Sequence, residues 1–161
     1  MLFVWSTALS TLADARSFTL SDQYGVEHSI AFPLDRPMVL LIADRAGSEQ
    51  LDDWLVPLAE HYADELLIQG VAELSAVPRL LRPMVRALFR QDEAAPVLLD
   101  WTGDVANGFG ARADVANVYL LAPDGEILHR VNGAFTTPAW QALRAAIDAS
   151  IRRPAPPAPN R

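Results

Sequence analysis

The strongest pattern in the chain is an unbroken apolar run followed by apolar residues at helical spacing. The run 38–43 contains no polar side chain, which predicts a strand buried on both faces over 38–44. An amphipathic helix is predicted from Ser48 onward. Its apolar positions are Leu51, Trp54, Leu55, Leu58 and Tyr62. A buried strand that leads directly into a helix is typical of an α/β fold.

Turn residues and further apolar runs predict the elements on either side. Gln23-Tyr24-Gly25 separates two short strand candidates, 18–22 and 26–30, and so indicates a β-hairpin. In the middle of the chain, Pro83 marks either a kink or the first residue of a helix. The elements predicted there are a second buried strand over 66–74, a loop and helix over 75–90, a short strand over 96–100 and a helical turn over 103–109.

The last third of the chain is the most clearly specified. Pro123-Asp124-Gly125 is a strong turn signal between strands predicted at 115–122 and 126–131. For the closing helix, Thr137 is the predicted cap and Pro138 fits the first helical position. The order of elements predicts an α/β fold with a central mixed β-sheet, helices on both faces and an N-terminal β-hairpin.

Length and composition divide the chain into one domain and two terminal segments. At 161 residues, a single domain is expected, and we assign 13–153 to it. The proline-rich tail 154–161 is predicted to be disordered. The apolar segment 1–12 either packs on the domain or is a signal peptide, since Ala13-Asp14-Ala15 resembles a cleavage site although no basic residue precedes it. We expect an exported or periplasmic protein rather than a cytoplasmic one.

Charge and residue usage exclude several classes of chemistry. The net charge of −7 argues against nucleic-acid binding, which needs a basic field. All thirteen positive residues are arginine, so a lysine Schiff base is excluded. The chain contains no cysteine, which excludes disulfides, thiolate metal ligands and thiol catalysis. The three histidines are far apart in sequence and do not predict a metal site, and no cofactor is predicted.

Three segments resemble one known family. The opening Phe18-Thr19-Leu20-Ser21-Asp22-Gln23-Tyr24-Gly25 and the strand beginning Pro37-Met38-Val39-Leu40-Leu41 are two of them. The third covers 99–127, with Asp124-Gly125 at its hairpin. In order and spacing they resemble the redoxin branch of the thioredoxin-like superfamily, which includes alkyl hydroperoxide reductases and thiol-specific antioxidants. The resemblance implies a thioredoxin-like fold over nearly the whole domain.

The chain departs from that family where the chemistry takes place. Laid on the family pattern, Gly47 and Gln50 stand where the two active-site cysteines would be. Ala116 stands where thioredoxins have a cis-proline and peroxiredoxins an arginine. The resemblance therefore implies a redox-inactive member, similar to cysteine-lacking periplasmic proteins of the superfamily, and no catalytic residue is carried over.

The loop at the former active site is the first candidate for binding. Its candidate residues are Asp44, Arg45, Gly47, Ser48, Gln50 and, beside Ala116, Asn117. Helix N-termini favour anions, and Arg45 can pair with a carboxylate or phosphate. The alternative is a plain helix start capped by Ser48, with Arg45 paired to Asp44 or Asp52.

The second candidate is an arginine stripe on the helix predicted over 75–90. Its members are Arg79, Arg82, Arg86 and Arg90, spaced for one helix face opposite Leu81, Met84, Val85 and Leu88. Such a stripe is either a surface for an acidic partner or lipid headgroups, or simply a solvated face.

Taken together, these features predict a non-catalytic protein that binds a protein or peptide partner at the former active-site mouth. One alternative is an enzyme that uses an external thiol such as glutathione through Ser48. Another is a scaffold whose arginine stripe makes an assembly contact. The sequence leaves the partner and the oligomeric state open.

Overall fold

The computed structural model describes residues 17–91 and 95–152, so the segment 1–12 and the tail 154–161 lie outside it. The strands are β1 (Phe18–Ser21), β2 (Glu27–Ile30), β3 (Met38–Ala43), β4 (Leu67–Glu73), β5 (Val97–Asp100), β6 (Asn117–Leu121) and β7 (Ile127–Asn132). The helices are α1 (Arg45–Ser48), α2 (Asp52–Tyr62), α3 (Arg82–Phe89), α4 (Asp104–Phe109) and α5 (Thr137–Ile151). A 3₁₀ turn, Arg79–Leu81, directly precedes α3.

Five strands form one mixed sheet in the order β5-β4-β3-β6-β7. The β3–β4 and β4–β5 pairs are parallel, whereas β6 is antiparallel to both β3 and β7. A separate antiparallel hairpin, β1–β2, adjoins the sheet through an isolated bridge between Asp22 and Leu98. The predicted mixed sheet and N-terminal hairpin are therefore confirmed.

Strand β3 is buried along its whole length because helices cover both faces of the sheet. Alternate side chains point to opposite faces. Val39 and Leu41 share one core with Trp54 of α2 and Leu143 of α5. Leu40 and Ile42 belong to the core on the other face, together with residues of α4 and the hairpin strand β1. Two helical layers around one sheet confirm the predicted fold class.

Two predicted helix caps were one to four residues away from the real ones. Asp44, not Ser48, caps the first helix: its backbone is extended and its carboxylate accepts the Gly47 N–H at 2.8 Å. The single helix predicted from Ser48 is in fact split into α1 and α2. Thr136, not Thr137, caps α5 by accepting the Ala139 N–H. In both cases the cap is the last residue with extended backbone, where a side chain can reach back to the first helical N–H groups.

The strand predicted as buried over 66–74 is mostly half-buried. In β4 Val71 alone is buried, and the other six residues of the strand are half-buried. The helix that follows it, α3, contains no buried residue, so it covers this part of the sheet incompletely. Pro83 is the second residue of α3, which confirms its role at a helix start and excludes a kink.

Candidate functional site

Gly47, which the family resemblance aligns with the first active-site cysteine, is covered by the chain itself. The backbone of Val115, in the loop before β6, packs directly on the Gly47 Cα. A β-carbon added at Gly47 would overlap the Val115 carbonyl group, closer than real Cβ atoms approach backbone. No side chain fits at this position without a shift of the loop. The position that the resemblance assigns to the nucleophile therefore has no room for a side chain.

Asp44 and Gln50 hold the loop in this closed position. Asp44 accepts the Asp114 N–H with one carboxylate oxygen, at 2.7 Å, while the other caps α1. Gln50, which the resemblance aligns with the second cysteine, donates to the Asp114 carbonyl at 3.4 Å and accepts the Ala116 N–H at 3.2 Å. These side chains therefore serve the contact between α1 and the loop, and their polar groups are already used within the chain.

The Asn117 side chain holds the same loop by hydrogen bonds to its backbone. The side chain is buried, and its Nδ2 lies 2.9–3.1 Å from the carbonyl oxygens of Ile42, Arg112 and Val115. Its Oδ1 accepts the Arg112 N–H at 2.8 Å and the Asn132 amide at 2.6 Å. A buried amide with all its hydrogen-bonding groups paired fixes the backbone around it. Asn117 thus positions the loop that closes on Gly47.

A cleft of about 220 Å³ remains open next to this closed contact. It lies at the ends of β3 and β4, beyond the carboxyl edge of the parallel strands, which is where ligand sites of open α/β sheets occur. Alanines and Ile42 make up the rest of its wall. Its polar lining consists of Asp44, Glu73, Ser75, Asn107, Arg112 and Asn117.

Two of the six candidates predicted from sequence, Asp44 and Asn117, line this cleft, and the other four lie outside its wall. Arg45 and Ser48 are exposed on α1. The Ser48 hydroxyl donates to the Arg45 carbonyl at 2.7 Å. No ion pair joins Arg45 to Asp44 or Asp52 within the described residues.

The sequence reasoning missed Glu73, Ser75, Asn107 and Arg112. Glu73 ends β4 and Ser75 follows it, whereas Asn107 lies within α4 and Arg112 follows that helix, so only the folded chain brings the four together. Arg112 is the most informative of the four, because its exposed guanidinium makes no hydrogen bond or ion pair to another described residue. Its charge, together with that of Arg130, acts against the burial that raises the pKa of Tyr119.

The arginine stripe is oriented opposite to the prediction. The guanidinium groups of Arg82 and Arg86 lie over the Trp101 ring, at 5.1 and 5.9 Å from its centroid. Arg82 also donates to the Trp101 carbonyl, and Arg90 donates to the Gln23 carbonyl at 2.8 Å. The arginines therefore attach α3 to the domain, and Leu81, Met84 and Leu88 face outward. Cation–π stacking on Trp101 fixes this orientation.

Chemistry beyond this cleft has little support in the described residues. Across 17–91 and 95–152, no three His, Cys, Asp or Glu side chains come together as a metal site. Within the same ranges, no helix combines the length and apolar character needed to cross a bilayer. His28 forms a 2.8 Å hydrogen bond with Asp22 in the hairpin, and neither residue lines the cleft.

Comparison with known proteins identifies the fold but no family. No protein-family model matches the chain, and no curated protein matches it. Solved structures do. An uncharacterized conserved protein from Geobacillus kaustophilus is 21% identical, with a TM-score of 0.65 over 90% of this chain and 84% of that one. A putative thiol:disulfide interchange protein DsbE from Chlorobium tepidum is 18% identical, with a TM-score of 0.63 over 89% and 99%.

A third similar structure is the exposed lipoprotein thioredoxin Etrx1 of Streptococcus pneumoniae, at 15% identity and a TM-score of 0.63 over 81% of this chain and 99% of that one. At these identities the likeness establishes the fold alone. The chain therefore has the thioredoxin-like fold predicted from its sequence, in a form without any cysteine.

Proposed function

We propose that this protein is a non-catalytic, thioredoxin-like peptide-binding module. An extended peptide would place one side chain in the cleft beside the covered Gly47, with Arg112 donating to a peptide carbonyl or carboxylate. The observation that carries the proposal is the pairing of these two features. The Val115 backbone covers Gly47, and an open polar cleft adjoins the same loop.

The size of the cleft supports a peptide side chain over a cofactor. Sites for drug-sized ligands and cofactors usually enclose about 300–1,000 Å³. At about 220 Å³, this cleft is below that range and is large enough for one side chain. Peptides bound in extended form gain affinity from the backbone and specificity from such single side-chain pockets.

The polarity of the cleft supports recognition rather than catalysis. Both oxygens of the Asp44 carboxylate and all polar groups of Asn117 are engaged within the chain, so neither is free as an acid or base. Glu73 accepts the Ser75 N–H with one oxygen. The Arg112 guanidinium and the second Glu73 oxygen are the charged groups left to meet a ligand. A guanidinium binds carbonyls and carboxylates without taking part in proton transfer.

Arg45 and Ser48 remain candidates for contacts with the peptide outside the cleft. Assignment to the redoxin branch rests on the three sequence segments and stays a prediction, as does export from the cytoplasm. The thiol-dependent alternative would need a free Ser48 hydroxyl. That hydroxyl donates to the Arg45 carbonyl, so no observation favours the alternative.

Selection of peptides displayed on phage against the full chain, followed by titration calorimetry, tests the proposal. We compare Ala113→Trp, which fills the rim of the cleft, with Ala63→Trp, which places the same ring at an exposed alanine after α2. We expect the first variant to lose at least about tenfold in affinity, or 1.4 kcal/mol, and the second to bind like wild type. Arg112→Gln should weaken acidic peptides most.

Two outcomes would overturn the proposal. Selected peptides that bind Ala113→Trp as tightly as wild type would place the site elsewhere. Failure to select any peptide, together with glutathione-dependent turnover that disappears in Ser48→Ala, would establish the enzymatic alternative instead.

A further inference from the structure

The outward side of α3 and its preceding turn is a ridge of large apolar side chains. The ridge consists of Leu80, Leu81, Met84 and Leu88, which expose 89%, 42%, 57% and 54% of their surface. Single exposed apolar residues are ordinary, but four within nine positions of one helix form a contiguous patch, and such patches mark interaction sites. The ridge lies away from the peptide cleft, since none of its residues lines that cleft.

The charge around this apolar ridge is positive although the protein is acidic. From 74 to 91 the chain carries four arginines and no Asp or Glu, while the net charge of the whole chain is −7. Arg79 and Arg90 are exposed at the two ends of the ridge. Exposed charges beyond about 8 Å are largely screened at physiological ionic strength. A surface that touches the ridge therefore meets Arg79 and Arg90 more strongly than it meets distant acidic residues, although Asp92 and Glu93 follow this segment directly in sequence.

The shape of the ridge favours contact with a lipid surface over contact with a second copy of the chain. Leu80, at 89% exposure, projects from the surface instead of lining a hollow. Two such convex ridges would meet over little area, because α3 has eight residues and is about 12 Å long. A stable protein interface needs about 1,200–2,000 Å². A soft apolar layer beneath anionic groups, by contrast, receives a projecting ridge and pairs with its arginines.

We propose that α3 is a peripheral membrane contact. It docks the protein on an anionic lipid surface, with the apolar ridge inserted at the boundary of headgroups and acyl chains. Arg79 and Arg90 contact the headgroups at the two ends of the helix. Arg82 and Arg86 hold the helix on Trp101 in the orientation that keeps the ridge outward. Basic residues beside an apolar helical face, as Arg79 and Arg90 are here, are typical of interfacial helices.

Flotation of the full chain with vesicles tests this contact. The vesicles contain equal parts of phosphatidylglycerol and phosphatidylcholine, and pure phosphatidylcholine vesicles serve as the neutral reference. The ridge variant is Leu80→Ser, Met84→Ser, Leu88→Ser, and its control is Val56→Ser, an equally exposed apolar residue on α2. The charge variant is Arg79→Gln, Arg90→Gln. Far-UV circular dichroism confirms that each variant is folded.

We expect wild type and Val56→Ser to bind the anionic vesicles alike. The ridge variant should bind at least about tenfold more weakly, since its four-residue patch is reduced to Leu81. The charge variant, and wild type at about 0.5 M salt, should lose about tenfold as well. Wild type and all variants are expected to bind pure phosphatidylcholine vesicles only weakly.

Three results would overturn the proposal. The first is absence of wild-type binding to anionic vesicles. The second is equal binding by wild type and the ridge variant, which would assign any lipid affinity to another part of the chain, such as 1–12. The third is a wild-type dimer in light scattering that the ridge variant does not form, without lipid binding, which would make the ridge a contact between copies.

Discussion

The carbonyl group of Val115 occupies the space that a β-carbon on residue 47 would need. This relationship connects a glycine, which the family resemblance aligns with the first active-site cysteine, to the loop before β6. Any side chain at position 47, cysteine included, requires the loop to move. The packing of α1 against the loop is therefore incompatible with a side chain at this position.

Substitution of Gly47 should destabilise the protein through overpacking. We expect Gly47→Ala to lower the free energy of unfolding by about 1–3 kcal/mol, because the added methyl group meets backbone rather than a flexible side chain. Gly108→Ala in α4 is the control: nothing lies within 4 Å of its added methyl group, and a gain of about 0.5–1 kcal/mol is expected for alanine in a helix. Urea unfolding of both variants measures the difference, and equal stabilities would contradict the closed geometry.

Asn117 should be far more sensitive to charge than an exposed asparagine. Asn117→Asp replaces an amide donor by a carboxylate facing the carbonyl oxygens of Ile42, Arg112 and Val115. We expect a loss of at least about 3 kcal/mol in the free energy of unfolding, because buried donors and acceptors are left unpaired. Asn107→Asp, at an exposed position, should stay within about 0.5 kcal/mol of wild type. A small effect at Asn117 would show that the loop does not depend on this amide.

The Asp22 carboxylate should make the hairpin sensitive to acid. Burial acts to raise its pKa, but hydrogen bonds from His28 and from the Val26 and Tyr24 N–H groups outweigh it, so the pKa lies below its ordinary value of 3.8. A lowered pKa in the folded state stabilises the protein above pH 3.8, and this stabilisation is lost as the pH falls through the folded-state pKa.

We therefore expect Asp22→Asn to destabilise the protein at neutral pH and to lose that effect progressively below pH 3.8. Urea unfolding across the pH range, with the exposed Asp53→Asn as control, measures this. A cost of Asp22→Asn that grows as the pH falls would contradict the assignment.

Trp101 should determine how firmly α3 is held. Two cation–π contacts, with Arg82 and Arg86, are worth about 0.5–1 kcal/mol each at exposed sites. We expect Trp101→Leu to speed hydrogen exchange of the α3 amides roughly tenfold through local opening. The comparison variant Trp140→Leu, in α5, should leave the hydrogen-exchange rates of the α3 amides unchanged relative to those of the adjoining segments. Unaltered exchange in Trp101→Leu would mean that another contact seats the helix.

The sequence was sufficient for the elements whose signals are local. The unbroken run of β3 and the turn at Pro123-Asp124-Gly125 depend on neighbouring residues, so both were predicted correctly. The orientation of α3 was not, because it depends on Trp101, which is nineteen residues away from Arg82. The helical periodicity showed two opposite faces but could not tell which of them meets the domain.

The candidate site was predictable only in part for the same reason. Asp44 and Asn117 follow from alignment to the family pattern, and both line the cleft. Glu73 and Ser75 reach it from the end of β4, and Asn107 and Arg112 from α4 and the loop after it, and only the folded chain brings these elements together. The closure of the mouth depends on the backbone contact of Gly47 with Val115, which no spacing in the sequence reveals.

Nuclear magnetic resonance titration of the labelled full chain with a selected peptide tests the central claim most directly. We expect the amide signals of Ser75, Asn107 and Arg112 to shift together and to saturate with one affinity, while those of α3 stay in place. Shifts confined to α3, or none near the cleft at saturating peptide, would contradict the claim that this protein binds peptides in the cleft beside the covered Gly47.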